Sequence, residues 1–121
     1  MAASKRLIGK NAEESASAFL QSKGLKLLEE NFNCRMGEID LIMQDNQHVV
    51  FVEVRMRKPN HYGSAFESIT RSKQLKIIRT ATLYLQQKKW YDKVPCRFDA
   101  IAVTPTLSEP TIEWIRNAFS D

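Results

Sequence analysis

The hydrophobic pattern of this chain is strongest in two apolar runs that are separated by a short polar break. The first run covers residues 37–43 and the second covers His48–Met56. Residues 45–47, Asp-Asn-Gln, are typical of a tight turn. Two β-favouring runs joined in this way predict an antiparallel hairpin, whose first strand starts at residue 35 or 37 and whose second strand covers 48–56.

Helical periodicity occurs on both sides of this hairpin. Residues 10–23 place apolar side chains at i, i+4, i+7 and i+8, and Gly24 follows where a left-handed cap would end a helix. A second helix is predicted to run to about residue 89, with Thr70 as its N-cap or, after an earlier short turn, Ser64. Each helix carries one apolar stripe that could pack on a sheet.

The remaining segments predict strands at residues 25–33 and 96–103, and only a short strand around 112–114 followed by a turn. The order of elements predicts a single α/β domain over residues 1–121, with a mixed central sheet flanked by helices. A long helix between the third and fourth strands favours a right-handed crossover and a parallel central pair. The lack of alternation in residues 49–52 is expected for a strand covered on both faces.

Composition is that of an ordinary globular protein. Of the 121 residues 43% are hydrophobic and 26% are charged, and the formal net charge of +4 is compatible with a polyanionic partner. No apolar run approaches the roughly 20 residues of a membrane-spanning helix, and the first ten residues lack a signal-peptide core, so we expect a cytoplasmic protein without a membrane partner. The two cysteines and two histidines form no zinc-binding spacing.

Asp40 and Glu53 lie inside the apolar runs, where an ionised carboxylate is costly unless a cation or hydrogen bonds receive it. In the predicted hairpin they fall on neighbouring strands at similar depth, so their charges repel and raise at least one pKa unless a cation lies between them. Such oxygens bind Mg²⁺ or Mn²⁺, with backbone carbonyls and waters completing the shell. The alternative is that both acids pair with Arg35, Arg55 or Arg57 at a strand end.

A set of short motifs, in a fixed order, extends over nearly the whole chain. Its centre is Gly37-Glu38-Ile39-Asp40-Leu41-Ile42 with Phe51-Val52-Glu53-Val54-Arg55. Its flanks include Gly9, Glu13, Ala16, Phe19, Leu20, Gly24, Asn31, Tyr62-Gly63-Ser64, Lys73, Ala81, Tyr84-Leu85, Cys96-Arg97-Phe98-Asp99 and Asn117-Ala118-Phe119. Together they resemble the YraN family of uncharacterised bacterial proteins, which is itself similar to restriction-endonuclease-like (PD-(D/E)xK) nucleases and is often compared with archaeal Holliday-junction resolvases.

The resemblance implies a restriction-endonuclease-like αβββαβ core and a nuclease site. Carried over by position, Glu13 matches the acid of the first helix, and Asp40 and Glu53 match the metal-binding Asp and Glu. A Mg²⁺ or Mn²⁺ cofactor and a DNA partner are implied with them. Resolvases tend to form homodimers, and the sequence leaves the oligomeric state of this chain open.

One position departs from the family pattern, because the usual Glu-x-Lys reads Glu53-Val54-Arg55 here. Arginine stays charged and cannot act as a general base, although Arg55 could hold a phosphate or stabilise charge in the transition state. Lys73, at the start of the second helix, could reach back toward the sheet and replace the missing lysine. Arg55 and Lys73 therefore join the acids as predicted catalytic residues.

Basic residues predict a nucleic-acid-binding groove beside the acids. Arg57, Lys58 and His61 follow the third strand, with Tyr62 available for stacking. The second helix adds further cations, namely Arg71, Lys73, Lys76 and Arg79. The alternative is a solvated helix face. Separately, Arg97 and Asp99 share a strand face and are predicted to form a structural ion pair.

Three functions remain open at the level of sequence. The first is a metal-dependent endonuclease that acts on DNA, including branched or damaged DNA. The second is a nucleic-acid-binding module that keeps the fold but has lost turnover, consistent with Arg55. The third is a structural or interaction protein, against which the density of acids within apolar strands weighs.

Overall fold

Two helices and five strands follow one another along the chain in an αβββαββ order. The computed structural model describes residues 5–58, 65–106 and 109–121, and gives only the backbone for residues 5–10. The elements are α1 (Lys5–Ser22), β1 (Lys26–Cys34), β2 (Gly37–Asp45), β3 (His48–Met56), a short 3₁₀ turn (Ala65–Ser68), α2 (Arg71–Gln87), β4 (Cys96–Thr104) and β5 (Thr111–Phe119).

The strands form one mixed sheet in the order β1-β2-β3-β4-β5. β3 and β4 run parallel at its centre, with Val49 opposite Cys96 and Met56 opposite Val103, and α2 provides the crossover between them. The other neighbouring strands are antiparallel. The predicted hairpin, the parallel central pair and the restriction-endonuclease-like αβββαβ core are thus confirmed, with β5 added at the sheet edge.

The sheet carries a separate hydrophobic core on each face. Val50 and Val52 of β3 are fully buried with α1 on one face, and Phe51 is buried with α2 on the other. Phe51 meets Tyr84 edge to face, with the ring centroids 5.9 Å apart. Burial of each such side chain contributes about 1.5–3 kcal/mol. Because both faces of β3 are covered, its apolar side chains do not alternate with polar ones. Neither described helix has both the length and the apolar character that crossing a bilayer requires.

Both helices end or begin as the sequence predicts. Gly24 adopts a left-handed φ of +97°, and the amides of Gly24 and Leu25 donate to the carbonyls of Gln21 and Leu20 at 3.0 and 3.1 Å. This pair of bonds satisfies two carbonyls that the helix end would leave free. At the start of α2 the hydroxyl of Thr70 accepts from the amide of Lys73, so Thr70 is the N-cap. Ser64, the alternative cap, lies outside the described residues.

The prediction for the end of the chain was wrong, because β5 continues through residues 115–119 instead of turning. The register between β4 and β5 shifts between Phe98 and Ala100, and Asn117 adopts a left-handed φ of +52° at this irregularity. Extra residues in one strand disrupt the alternation of side chains. Because the polar residues Arg116 and Asn117 lie at this irregularity, the periodicity of side chains did not predict that the strand continues. Other ends differ by up to two residues, and α1 starts at Lys5 rather than near residue 10.

Asp99 holds this irregular part of β5 in place. Its carboxylate is completely buried and accepts from Arg97 Nε at 3.0 Å, Trp114 Nε1 at 3.0 Å and the amide of Asn117 at 2.9 Å. Arg97 also donates to Asp45 at 2.9 Å. The predicted Arg97–Asp99 ion pair is therefore present, and its role is to join three strands.

Replacing Asp99 by alanine is expected to lower the free energy of unfolding by about 3 kcal/mol, because Trp114 Nε1 and the Asn117 amide lose their acceptor and Arg97 loses one carboxylate partner. Urea unfolding followed by circular dichroism measures the change. Asp121→Ala, which removes an exposed carboxylate, is the control and should change stability by less than about 0.5 kcal/mol. Equal stability of the two variants would contradict this role of Asp99.

Candidate functional site

The pairing of β2 with β3 stops just where the two predicted metal-binding acids begin. The last pair of the ladder is Leu41 with Val52, so the next residues in register are Asp40 and Glu53. Asp40 Oδ2 instead accepts from the backbone amide of Val54 at 2.8 Å. A side-chain carboxylate thus takes the position of a ladder carbonyl, and Asp40 remains only 9% exposed.

The alternation of side chains along β2 also breaks at Asp40. Ile39 packs into the core on the α2 face, whereas Leu41 packs into the core on the α1 face. Alternate residues of a regular strand would share one face. The Asp40 carboxylate therefore lies at the gap between two strands, where groups from both faces of the sheet can approach it.

Burial raises the proton affinity of both acids. Burial, followed by the nearby Asp40 charge, raises the pKa of Glu53 to about 7, although Arg55 and Lys73 oppose this rise. Burial also raises the pKa of Asp40, against the hydrogen bond from the Val54 amide. The two groups titrate as a pair, so a proton taken up by one affects the other. Near neutral pH the charges of Arg55 and Lys73 therefore do not fully offset the factors that favour the protonated form of Glu53.

Glu13 reaches the same gap from α1. Its carboxyl lies close to the side chains of Asp40 and Asn31, both of which affect its pKa. Burial, followed by the Asp40 charge, raises the pKa of Glu13 to about 7. The structure thus brings together three predicted acids, which come from α1, β2 and β3.

A divalent ion fits the chemistry of these acids. Within residues 11–58, 65–106 and 109–121, no three His, Cys, Asp or Glu side chains form a group spaced to hold a metal. Mg²⁺ commonly needs only one or two carboxylates, with waters and substrate phosphates as its other ligands. Asp40 and Glu53 could supply two such carboxylates, since they are the next residues in register beyond the last pair of the β2–β3 ladder.

A cleft of about 150 Å³ opens beside Glu53, between β2, β3 and the start of α2. Its charged lining consists of Glu38, Glu53, Arg55, Lys73 and Lys76. Arg55 Nη2 lies 3.3 Å from Glu53 Oε1, while Arg55 Nε is buried without a hydrogen-bond partner among the described residues. Larger cavities of about 410 and 270 Å³ lie beside Trp90 and Met56, and none of the three acids lines either.

The other predicted basic residues divide into three groups. Lys76 lines the cleft. Arg57 and Lys58 follow β3, where Arg57 lies 3.9 Å from Glu113. The guanidinium of Arg71 donates to the Ser120 carbonyl at 2.7 Å and to Gln74 at 3.0 Å, so it anchors the end of the chain. His61 and Tyr62 lie outside the described residues.

Glu38 is a candidate site residue that sequence reasoning missed, because an isolated acid next to a glycine indicated an edge or a turn. The side chain lines the cleft, and its charge adds to the rise in the pKa values of Glu13, Asp40 and Glu53. Its position two residues before Asp40 in the same run was the only available signal.

Gly37 allows α2 to approach β2 closely at the wall of the cleft. A Cβ atom at this position would lie 3.3 Å from Thr80 Oγ1 and 3.9 Å from Lys76 Cβ. The first distance is shorter than most such contacts, so a larger residue would require Thr80 to move by a few tenths of an ångström. The glycine in the Gly37-Glu38 motif thus suits the close packing of α2 on β2.

Comparison with known proteins gives the family of the chain. A model of the Uncharacterised protein family UPF0102 matches residues 12–103. The chain belongs to the UPF0102 family. The resemblance to the YraN family, which is the same family, is thereby confirmed. Residues 12–103 include every predicted catalytic and basic residue named above.

Several UPF0102 proteins are similar to the chain over most of its length. A relative from Nitrosomonas europaea is 52% identical over 113 residues, which cover 93% of each chain. One from Nitrosococcus oceani is 44% identical over 92% of this chain and 90% of its own. One from Pseudomonas aeruginosa is 47% identical, with the same two shares covered.

The raised pKa of Glu53 predicts that stability falls as the pH rises. The folded-state value of about 7 exceeds the ordinary value of 4.5, so between them the folded protein binds a proton that the unfolded chain has released. The stability from this proton is complete below about pH 4.5 and is lost through pH 7. Glu53→Gln removes the titration, so we expect it to be more stable than the wild type at pH 8, by roughly 2 kcal/mol, and equally stable at pH 5.

Urea unfolding at pH 5, 6, 7 and 8, in EDTA and at constant ionic strength, measures this difference. Glu67→Gln, at an exposed position of the 3₁₀ turn, is the matched control and should follow the wild-type curve. If Glu53→Gln and the wild type lose stability in parallel as the pH rises, Glu53 is not the group that titrates.

Proposed function

We propose that this protein is a metal-dependent endonuclease that acts on DNA, with Asp40 and Glu53 holding Mg²⁺ or Mn²⁺. The observation that carries the proposal is the opening of the β2–β3 ladder, where the buried Asp40 and the half-buried Glu53 follow the last pair and Glu53 lines a cleft with three cations. Acids that bind a metal and cations that bind a phosphate are the two components that phosphodiester hydrolysis requires.

The acids have distinct tasks in this proposal. When bound, the metal would lower the pKa of a water molecule and neutralise charge on the phosphate. Asp40 holds the metal with its carboxylate fixed by the Val54 amide. Glu53 provides the second carboxylate from the wall of the cleft. Glu13 lies beside Asp40 and restricts the orientation of its carboxylate.

Arg55 and Lys73 share the roles that the Glu-x-Lys pattern gives to its lysine. Arg55 remains charged. Its buried Nε has no acceptor among the described residues, so this group could donate a hydrogen bond to a phosphate oxygen. Lys73 lines the same cleft, and its charge acts on Glu53. We assign phosphate binding to Arg55 and orientation of the attacking water to Lys73.

The charge of α2 supports a DNA backbone as the partner. Residues 71–87 contain two arginines and two lysines and no acid. The first turn of the helix reaches the cleft through Lys73, so the positive end of the helix dipole favours a phosphate there. Lys76 and Arg79 continue the positive charge along the exposed side of the helix. Such a surface binds phosphates without reading bases.

The binding module without turnover remains the second candidate, and the Glu53–Arg55 ion pair favours it. Arg55 Nη2 lies 3.3 Å from the carboxylate that the metal requires. If that ion pair is not displaced, the cleft keeps a phosphate-binding surface and binds no metal.

Formation of a homodimer, the arrangement to which resolvases tend, remains a prediction for this chain.

Asp40→Asn and Glu53→Gln are expected to reduce cleavage of DNA on the order of a hundredfold or more, because each removes a metal ligand of the proposed site. Purified protein is incubated with linear, flapped and four-way DNA, with Mn²⁺, with Mg²⁺ or with EDTA, and products are separated by electrophoresis. Lys73→Ala and Arg55→Ala are tested beside them, and loss of cleavage assigns each residue to the reaction.

The outcomes separate the candidate functions. Glu67→Gln, which preserves the site, serves as the control and should cleave like the wild type. DNA binding by the wild type without any metal-dependent cleavage would support the binding module. Neither binding nor cleavage would support a structural role. Equal activity of Lys73→Ala, Arg55→Ala and wild type would remove these two residues from the mechanism.

Lys76→Ala and Arg79→Ala are each expected to weaken DNA binding by a similar factor for all sequences, and to reduce the slope of log K against log [salt] by about 1. Fluorescence anisotropy with labelled DNA at several salt concentrations measures both quantities. Lys88→Ala is the matched control, because Lys88 lies at the other end of α2, with Nζ 5.7 Å from the centre of the Tyr84 ring. A slope change for Lys88→Ala alone would contradict the proposed surface.

A further inference from the structure

A cavity of about 410 Å³ lies at the other end of the β2–β3 hairpin from the acids. Gln44 of β2 and Val49 of β3 line it, four residues along their strands from Asp40 and Glu53 respectively. At about 3.3 Å per residue, this spacing puts the cavity roughly 13 Å from the acids. Small-molecule sites commonly have volumes of about 300–1,000 Å³. The cavity is therefore large enough to hold a ligand of its own, separate from the cleft.

Part of the cavity wall is apolar and includes an aromatic ring. The connection between α2 and β4 contributes Trp90, Val94 and Pro95 to this wall. Trp90 meets Tyr84 edge to face, with the ring centroids 6.1 Å apart and the planes at 71°. In this geometry Tyr84 covers at most one face of the indole, so a planar ring in the cavity can stack on the other.

Amide side chains form another part of the lining. Gln44, Asn46 and Gln47 provide them from β2 and the turn that follows it. Gln44 Nε2 donates to the Asn46 carbonyl at 3.0 Å, which leaves Gln44 Oε1 to accept from a ligand. Gln47 is exposed, and its amide offers two donors and an acceptor. Such amides suit the edge of a nucleobase, where donors and acceptors lie side by side.

Lys93 carries the only charge among the described residues that line the cavity. Around it, residues 88–93 read Lys-Lys-Trp-Tyr-Asp-Lys, with three lysines against one aspartate. Proteins bind unpaired nucleotides with this combination, because the base stacks on an aromatic ring and a cation meets the phosphate. A purely apolar ligand suits the cavity less well, since it would leave the amides without partners.

Backbone hydrogen bonds hold the ring and the cation in place. The Trp90 amide donates to the Leu85 carbonyl at 2.8 Å. The Lys89 amide donates to the Gln86 carbonyl at 3.0 Å, and Lys89 has a left-handed φ of +61°. These two bonds form a Schellman motif, which ends α2 and fixes the position of Trp90. The Trp90 carbonyl accepts in turn from the Lys93 amide at 2.9 Å. An ordered turn of this kind reduces the entropic cost of binding a ligand.

We propose that this cavity binds one unpaired nucleotide, whose base stacks on Trp90 and hydrogen-bonds to the amides of Gln44 and Gln47 while its phosphate meets Lys93. The site uses none of the acids, so it does not depend on the proposed nuclease function. The nucleotide is either a free mononucleotide or an unpaired member of a nucleic-acid strand, since the base and the phosphate are the same in both.

Tryptophan fluorescence, measured in EDTA with dAMP and with an oligo-dA strand of eight nucleotides, tests the site. Trp114, the second tryptophan, packs on the α1 face, with the Arg116 guanidinium 4.2 Å from its ring centre. We expect dAMP to quench the wild type and not Trp90→Phe, in which Trp114 alone emits. Tighter binding of the strand than of dAMP would identify a strand as the source of the nucleotide, and equal binding a free nucleotide. Both results support the site, whereas a wild type that neither probe quenches would overturn it.

Lys93→Ala and Gln47→Ala test the polar contacts, and because both side chains are exposed their urea midpoints should match the wild type. We expect Lys93→Ala to raise the dissociation constant for dAMP about tenfold and Gln47→Ala about threefold. Lys88→Ala is the matched control and should bind like the wild type, because Lys88 lies outside the lining, with Nζ 5.7 Å from the centre of the Tyr84 ring. Unchanged affinity in Lys93→Ala would overturn the assignment. A loss in Lys73→Ala instead would place the nucleotide in the cleft and would also overturn it.

Discussion

The hydrogen bond from the Val54 amide to Asp40 is the interaction on which the site depends. It lets β2 and β3 separate beyond Leu41 and Val52 without leaving that amide unsatisfied. A buried backbone donor without a partner would cost about 1–3 kcal/mol. The carboxylate thus replaces a ladder acceptor, and the gap that it stabilises is the only reason that acids from different elements can meet.

The two cores of the sheet converge on this gap from opposite sides. The α1 core carries Glu13 to Asp40, and the α2 core sets the position of Lys73 and Lys76 beside Glu53. Elsewhere β3 separates the two faces completely, because its side chains are buried on both. The candidate site therefore lies where the β2–β3 ladder opens, and both helices must be packed for its side chains to meet.

Much of the fold follows from the sequence because the relevant signals are local. The hairpin, the Gly24 and Thr70 caps and the parallel pair depend on apolar runs, turn residues and the length of a crossover. The positions of Asp40 and Glu53 follow from the register of that hairpin. These features need no knowledge of distant contacts.

The remaining features depend on contacts that local patterns do not contain. A strand pattern gives no sign of the left-handed conformations of Asn31 and Asn117, and that of Asn117 occurs where its amide donates to Asp99 on β4. The extent of β5 depends on the buried Asp99, which holds an irregularity that periodicity misreads as a turn. Glu38 was missed for the same reason, since its importance comes from Lys76 and Glu53 across the cleft.

The charges of the cleft are compatible with an arginine at the position where the family pattern described from the sequence has a lysine. Burial, together with the neighbouring acids, raises the pKa values of Glu13 and Glu53 to about 7, and Arg55 Nη2 lies 3.3 Å from Glu53 Oε1. An arginine keeps its charge in such surroundings, whereas a buried lysine can lose its proton. The substitution therefore keeps a fixed positive charge beside Glu53 and removes a general base.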